Sequence, residues 1–206
     1  MKKIFTMLVA ILAVNVGFVN SASAQVEQGS IIIDPYYGFP NFGKKLADSF
    51  ISDSITGSID VTGIGPCGLR GEYLVSDNFG VGFDFIYNSV GAKSDYSEYD
   101  GAGVLRNYTD KVNMQRFRVQ LRMNYHFVQT DAVDAYAGFG AGTNIRKFSY
   151  SSDNPNYVPE SISGALLPVS LRLAIGVRYY FIPNVGINAE IGLGGPAISG
   201  GISIKF

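Results

Sequence analysis

Arginines and carboxylates recur at every second position along several stretches of this 206-residue chain, the spacing that gathers ionisable groups on one side of a strand. Arg116, Arg118 and Arg122 alternate with Phe117, Val119, Leu121 and Met123, while Arg172 and Arg178 alternate with Leu171, Leu173, Val177 and Tyr179. Arg70 and Glu72, then Asp84, then Glu190 follow the same rule. The chemistry such groups offer is ion pairing, because an isolated charge in a low-dielectric interior is costly and opposite charges at one level pair. Arg70, Asp84, Arg122 and Glu190 stand about five residues from the nearest short turn, with Asp34 beside them; Glu72 and Arg178 fall lower, Arg118 and Arg172 higher. His126, the single histidine, shares that side, near the turn end. General acid–base work is open to it, but hydrogen bonding in a polar interior is the simpler role. Asp95, Glu98, Asp100 and Asp110 are acidic enough for weak Ca²⁺ binding, yet their spacing matches no defined loop and solvated charge is expected. No phosphate-cradling loop or metal-ligand cluster occurs, and Cys67 stands alone, so no disulfide, cofactor or metal is expected.

Positioning those groups requires strands, and the period of two supplies eight. They run from about Ser30 to Phe39, Asp60 to Val75, Phe79 to Asn88, Arg116 to Phe127, Asp134 to Phe148, Pro168 to Phe181, Val185 to Gly194 and Ala197 to Phe206. A helix would scatter the arginines of the fourth segment around its circumference. The first is the least regular, because Pro35 removes a ladder donor. Ser76-Asp77-Asn78, Val128 to Val133 and Ile182-Pro183-Asn184 read as short turns. Long polar segments alternate with them: Pro40 to Ile59, Gly91 to Lys111 and Ser149 to Gly164. Gly194-Gly195-Pro196 is a tight turn on the long-loop side. Strands joined alternately by short turns and long loops imply an up-and-down antiparallel barrel with both ends on the short-turn side.

The N-terminus sets the compartment. Lys2 and Lys3 precede an apolar stretch to Val19, and Ala22-Ser23-Ala24 follows, the order of a secretory signal peptide over residues 1–24 with the mature domain at 25–206. Asn15 and Gly17 interrupt the stretch, which argues against a membrane anchor. No later apolar run could span a bilayer as a helix. A net charge of −1 gives no reason to expect nucleic acid.

Alternation alone does not say which face points outward, since a soluble barrel would bury its apolar face. Three features favour the inverse. The polar face is rich in glycine (Gly80, Gly82, Gly138, Gly140, Gly176), which suits a narrow, filled lumen. The apolar face carries Tyr73, Phe79, Tyr125, Phe127, Tyr179, Phe181 and Phe206 close to the short turns, as an interfacial girdle would. The last ten residues alternate strictly and end on Phe206.

On these features the whole mature chain resembles the small OmpA/OmpX-type eight-stranded outer-membrane barrels. The resemblance implies an all-β transmembrane barrel with short periplasmic turns and long extracellular loops, in the outer membrane of a Gram-negative bacterium. It also implies that Phe206 is an insertion signal for the barrel assembly machinery. Such a barrel has an interior that side chains just fill. The expected lumen charge network is Asp34, Arg70, Glu72, Asp84, Arg116, Arg118, Arg122, Arg172, Arg178 and Glu190, forming an ionic plug. The function expected is non-enzymatic, structural or surface-interacting; a narrow porin-like channel for small solutes or ions is the alternative. Barrel enzymes that modify lipid A need a His with Ser or acidic partners near lipid or the outer rim, and His126 lies at the other end. No residues remain for a peptidoglycan-binding domain. Expected partners are outer-membrane lipid, the assembly machinery, and an extracellular ligand or host surface met by loops carrying Tyr96, Tyr99, Tyr108, Tyr150, Asn154, Asn156 and Tyr157, with the barrel itself a monomer.

Overall fold

Each segment of period two forms a strand, and its polar positions turn inward. A computed structural model describes residues 26–54, 59–99, 103–164 and 168–206; the expected signal peptide 1–24 and Asp100 lie outside them. The elements are β1 (Ile31–Phe39), α1 (Phe42–Ser54), β2 (Ile59–Thr62), β3 (Cys67–Ser76), β4 (Phe79–Tyr99) and β5 (Leu105–Gln129). They continue as β6 (Val133–Thr143), β7 (Ile145–Ser152), β8 (Glu160–Gly164), β9 (Val169–Ile182), β10 (Val185–Leu193) and β11 (Ile198–Lys205). Strands β1, β3, β4, β5, β6, β9, β10 and β11 pair antiparallel in a closed ring of eight. The seam is β1 against β11, with Ile32 opposite Lys205 and Phe39 opposite Ile198. Beside it the Phe206 and Ile31 backbones exchange hydrogen bonds of 2.8 and 3.0 Å. Opposite Asp34 and Pro35 the seam carries no partner residues, where the proline lacks its N–H, while both pair with β3.

Several segments differ from the sequence expectation. Residues 91–111 are mostly strand rather than loop: β4 and β5 stay paired from Phe79↔Tyr125 to Tyr99↔Leu105. Their upper parts are polar on both faces, so the alternation that marks a half-buried strand is missing there. The second segment breaks at residues 63–66, where Gly63, Gly65 and Pro66 separate β2 from β3. The fifth breaks at Asn144, after which β7 leaves β9 and pairs with β5 and β8. The segment 40–59 holds α1, anchored where Asn41 Nδ2 donates to the carbonyls of Ile64 (2.8 Å) and Ser89 (2.9 Å).

The wall has an apolar outside. Leu121 is 79% exposed, and Leu171, Leu173, Ile175 and Ile187 are exposed around it. All seven girdle aromatics are exposed near the short turns. The buried set is mostly polar, the reverse of a soluble protein and the arrangement of a barrel that faces lipid.

Candidate functional site

The lumen is filled in layers whose contents follow from strand parity. At the short-turn end, Ile32, Leu74 and Tyr180 point inward, and Val26 from the segment before β1 completes an apolar cluster. Gln129 Nε2 donates to the Val26 carbonyl at 3.1 Å, holding that segment across the mouth.

Above it lies a first ionic layer centred on Arg178. Its guanidinium donates to Asp34 (3.0 Å), Glu72 (2.6 Å) and Asp134 (2.7 Å), carboxylates from three other strands. His126 is fully buried between two of them, Nδ1 at 2.6 Å from Asp134 and Nε2 at 2.9 Å from Glu72. A ring facing carboxylate oxygens on both nitrogens is satisfied when it carries both protons. Ser203 donates to the other oxygen of Asp34 at 2.6 Å.

The second layer is built on Glu190, whose carboxylate accepts from Arg70, Arg122 and Arg172. Arg172 reaches it through Nε at 3.1 Å and Nη2 at 2.5 Å, and the Tyr136 hydroxyl donates to it at 3.0 Å. Asp84 shares two of these arginines, with Arg122 at 3.3 Å and Arg172 at 3.7 Å, and accepts from Tyr36 at 2.6 Å. Arg70 also stacks on Tyr36, and Arg178 on Tyr136, each 4.3 Å from the ring centroid. The two layers balance: three guanidiniums face two carboxylates above, and Arg178 with His126 faces three below. Small residues make the room. A Cβ at Gly176 would strike the Tyr136 ring, and one at Gly80 the Glu72 carboxylate.

The sequence expectation and this geometry differ in detail. The sequence puts Asp34 at the level of Arg70 and Glu190, and on the wall it does pair with Arg70. Its carboxylate instead turns down to Arg178, while Arg70 turns to Glu190 and Asn188. Arg172 was placed higher but reaches down a level, since a guanidinium stem spans more than one strand repeat. Arg116 and Arg118 stand above both layers and meet no carboxylate among the described residues: Arg116 Nε donates to Asn144 (2.7 Å) and Arg118 Nη1 to the Gly194 carbonyl (2.8 Å). Tyr36, Tyr136 and Asp134 were missed, although Tyr36 shares the parity of Asp34, and Tyr136 and Asp134 that of Gly138.

Outside the lumen, the β4–β5 arm carries its own polar contacts. Asp95 accepts from Thr109 (2.7 Å) and Lys93 (2.9 Å), and these donors hold its carboxyl below the usual range. Glu98 accepts from Asn154 at 3.0 Å, and Tyr96 packs on Tyr108 with centroids 5.8 Å apart. Asp95 and Glu98 are thus drawn into contacts with neighbours, where solvated charge is expected from the sequence, and no group of His, Cys, Asp and Glu that could hold a metal occurs among the described residues.

An apolar exterior, a closed eight-strand ring and a charged interior define a membrane barrel, and the family follows. The profile described as "Outer membrane protein beta-barrel domain" matches residues 9–199. The chain belongs to this outer-membrane β-barrel family. It resides in the outer membrane of a Gram-negative bacterium, with its apolar face toward lipid, short turns in the periplasm and long hairpins outside. Similar solved structures include the N-terminal β-barrel domain of Pseudomonas aeruginosa OprF, at 13% identity and TM-score 0.46, covering 87% of this chain and 99% of that one. OprG of the same organism gives 13% and 0.46 over 90% and 99%. Yersinia pestis Ail, the attachment invasion locus protein, gives 16% and 0.43 over 87% and 99%. No curated protein matches the chain.

Proposed function

We propose that this barrel is a non-enzymatic structural and surface-interaction protein whose lumen is plugged by its own charge network. The observation that carries the reading is Glu190, buried at the centre and held by arginines from β3, β5 and β9, with Tyr136 from β6 closing the remaining gap. Solute flow would have to break these bonds together and then displace the Val26 cluster below them. A non-catalytic role is supported by His126, which is fully buried at the periplasmic end and already engaged on both nitrogens. Surface interaction is assigned to the β4–β5 arm. Antiparallel strands rise about 3.4 Å per residue and the hydrocarbon core is about 30 Å thick, so the 21-residue β4 extends well beyond the membrane. The barrel works as a monomer, and the assembly machinery reads β11 and Phe206 during insertion.

Planar bilayer recording tests the plug. The folded protein should give no large, stable conductance. Large open channels from the wild type would instead establish the narrow porin-like channel for small solutes or ions. The surface role is tested by removing residues 93–111: binding to host surfaces should fall while folding is kept, and unchanged binding would refute it.

A further inference from the structure

Directly above the two layers, Arg116 and Arg118 face no carboxylate among the described residues. Arg116 and Arg146 lie directly opposite each other on β5 and β7, a like-charge pairing that is unfavourable by itself. Arg118, one inward step below, is buried. The Nε atoms of Arg118 and Arg146 are buried without any hydrogen-bond partner. The nearest lumen carboxylates are committed elsewhere, Asp84 to Tyr36, Arg122 and Arg172, and Glu190 to Arg70, Arg122 and Arg172. On α1, Asp48 is held by Lys44 at 2.8 Å. Buried cations with no counter-charge are expensive, and so are orphaned N–H groups.

Beside Arg116 and Arg118 is a cavity of about 70 Å³, lined by these two, Asn88, Asn41 and the first residues of α1, Phe42 and Gly43. By the usual measure of about 10–15 Å³ per water, it holds a few waters or one small ion, not a sugar chain. Asn41 caps the helix, its Oδ1 accepting from the Lys44 amide at 3.2 Å and its carbonyl from the Lys45 amide at 3.0 Å. The amides of Phe42 and Gly43 belong to the first turn, where no carbonyl of the helix itself can reach them. A helix N-terminus favours negative charge. Phe42, 62% exposed, marks the outer rim.

We propose that this cavity is a binding site for a small oxyanion of the phosphate or sulfate class. The anion accepts from the guanidiniums of Arg116 and Arg118 and from the first-turn amides of α1, and it supplies the counter-charge these two arginines do not find among the described residues. The site goes beyond the plug, since it lies above the layers that close the lumen.

Inorganic phosphate titrated into the detergent-folded barrel, with chloride adjusted to constant ionic strength, tests this by calorimetry and thermal unfolding. Wild type should bind one phosphate saturably and unfold at higher temperature as the site fills. Arg118→Gln should weaken binding by roughly tenfold or more, as expected for loss of a charge-assisted hydrogen bond. Arg116→Gln should weaken it too, and heat-dependent gel mobility identifies whichever variant folds. The exposed Lys93→Gln variant should bind as wild type does. Absence of saturable binding to wild type overturns the proposal. So does equal stabilisation of wild type and both arginine variants, the mark of a general salt effect. Lipopolysaccharide micelles form a separate arm: stabilisation by them that persists in both variants while free phosphate has no effect also overturns it.

Discussion

The hydroxyl of Tyr136 on β6 donates to Glu190 on β10 at 3.0 Å, although β6 and β10 are not neighbours in the ring. Strand β9 lies between them, so the bond crosses the lumen instead of following the wall. Tyr136 in turn accepts from Arg70 at 3.2 Å, and Arg178 stacks on its ring. One aromatic residue thus ties the upper ionic layer to the lower one.

Glu190 is the group whose loss should matter most. Glu190→Gln leaves Arg70, Arg122 and Arg172 facing Asp84 alone, and removing one partner of a buried network costs about 3–5 kcal/mol. Urea unfolding of the barrel in lipid vesicles should show a loss of that size. A change below about 1 kcal/mol would mean that the arginines are solvated, as in an open pore.

Gly176 should tolerate no side chain. A Cβ there meets the Tyr136 ring, so Gly176→Ala must push the ring off Glu190 or bend the wall between β6 and β9. Overpacking of this kind costs about 1–3 kcal/mol. Gly164→Ala, where the added carbon meets nothing, is the matched control, and the two unfolding curves should separate clearly.

Leu121 tests the direction of the wall. It is exposed on β5, whereas its neighbour Gln120 is fully buried and donates to Ser170 at 2.5 Å. Leu121→Arg should cost about 2–4 kcal/mol in vesicles, the range for a charge near the bilayer midplane. In a soluble barrel the same change would be nearly neutral, so equilibrium folding into lipid decides the matter.

The arm should respond to acid separately from the barrel. Thr109 and Lys93 lower the Asp95 pKa in the folded arm, so its contribution is fully present above the unfolded value, ordinarily about 3.9. It is lost as pH falls through the lower folded value. Amide exchange near Asp95 and Thr109 should quicken at the acid end while strands in the ring stay protected. Asp95→Asn should remove that pH dependence.

Much of this was readable in the chain, and the reasons for the rest are physical. Where one face meets lipid and the other meets charge, as in β9 from Val169 to Phe181, residue parity places every side chain. The upper parts of β4 and β5 gave no such signal because both of their faces meet water. Partner choice in the lumen was also hidden. Parity gives the height of a Cα, but Arg172 and Arg70 reach along the axis, so Asp34 ends with Arg178 rather than with the arginine beside it. Tyr36 and Tyr136 are hard to find from sequence because an aromatic residue reads as wall, whereas these two line the inside and use their hydroxyls.

The seam between β1 and β11 sets an order in time. Its partners stand far apart along the chain, Ile32 opposite Lys205, and synthesis from the N-terminus delivers β11 last among these strands. Until then β1 has an open edge, and the arginines and carboxylates of the lumen have no enclosure in which to meet. Closure therefore waits for the last strand. The unsealed chain must be kept from pairing with others during that interval, and the ring is complete only when β11 docks on β1.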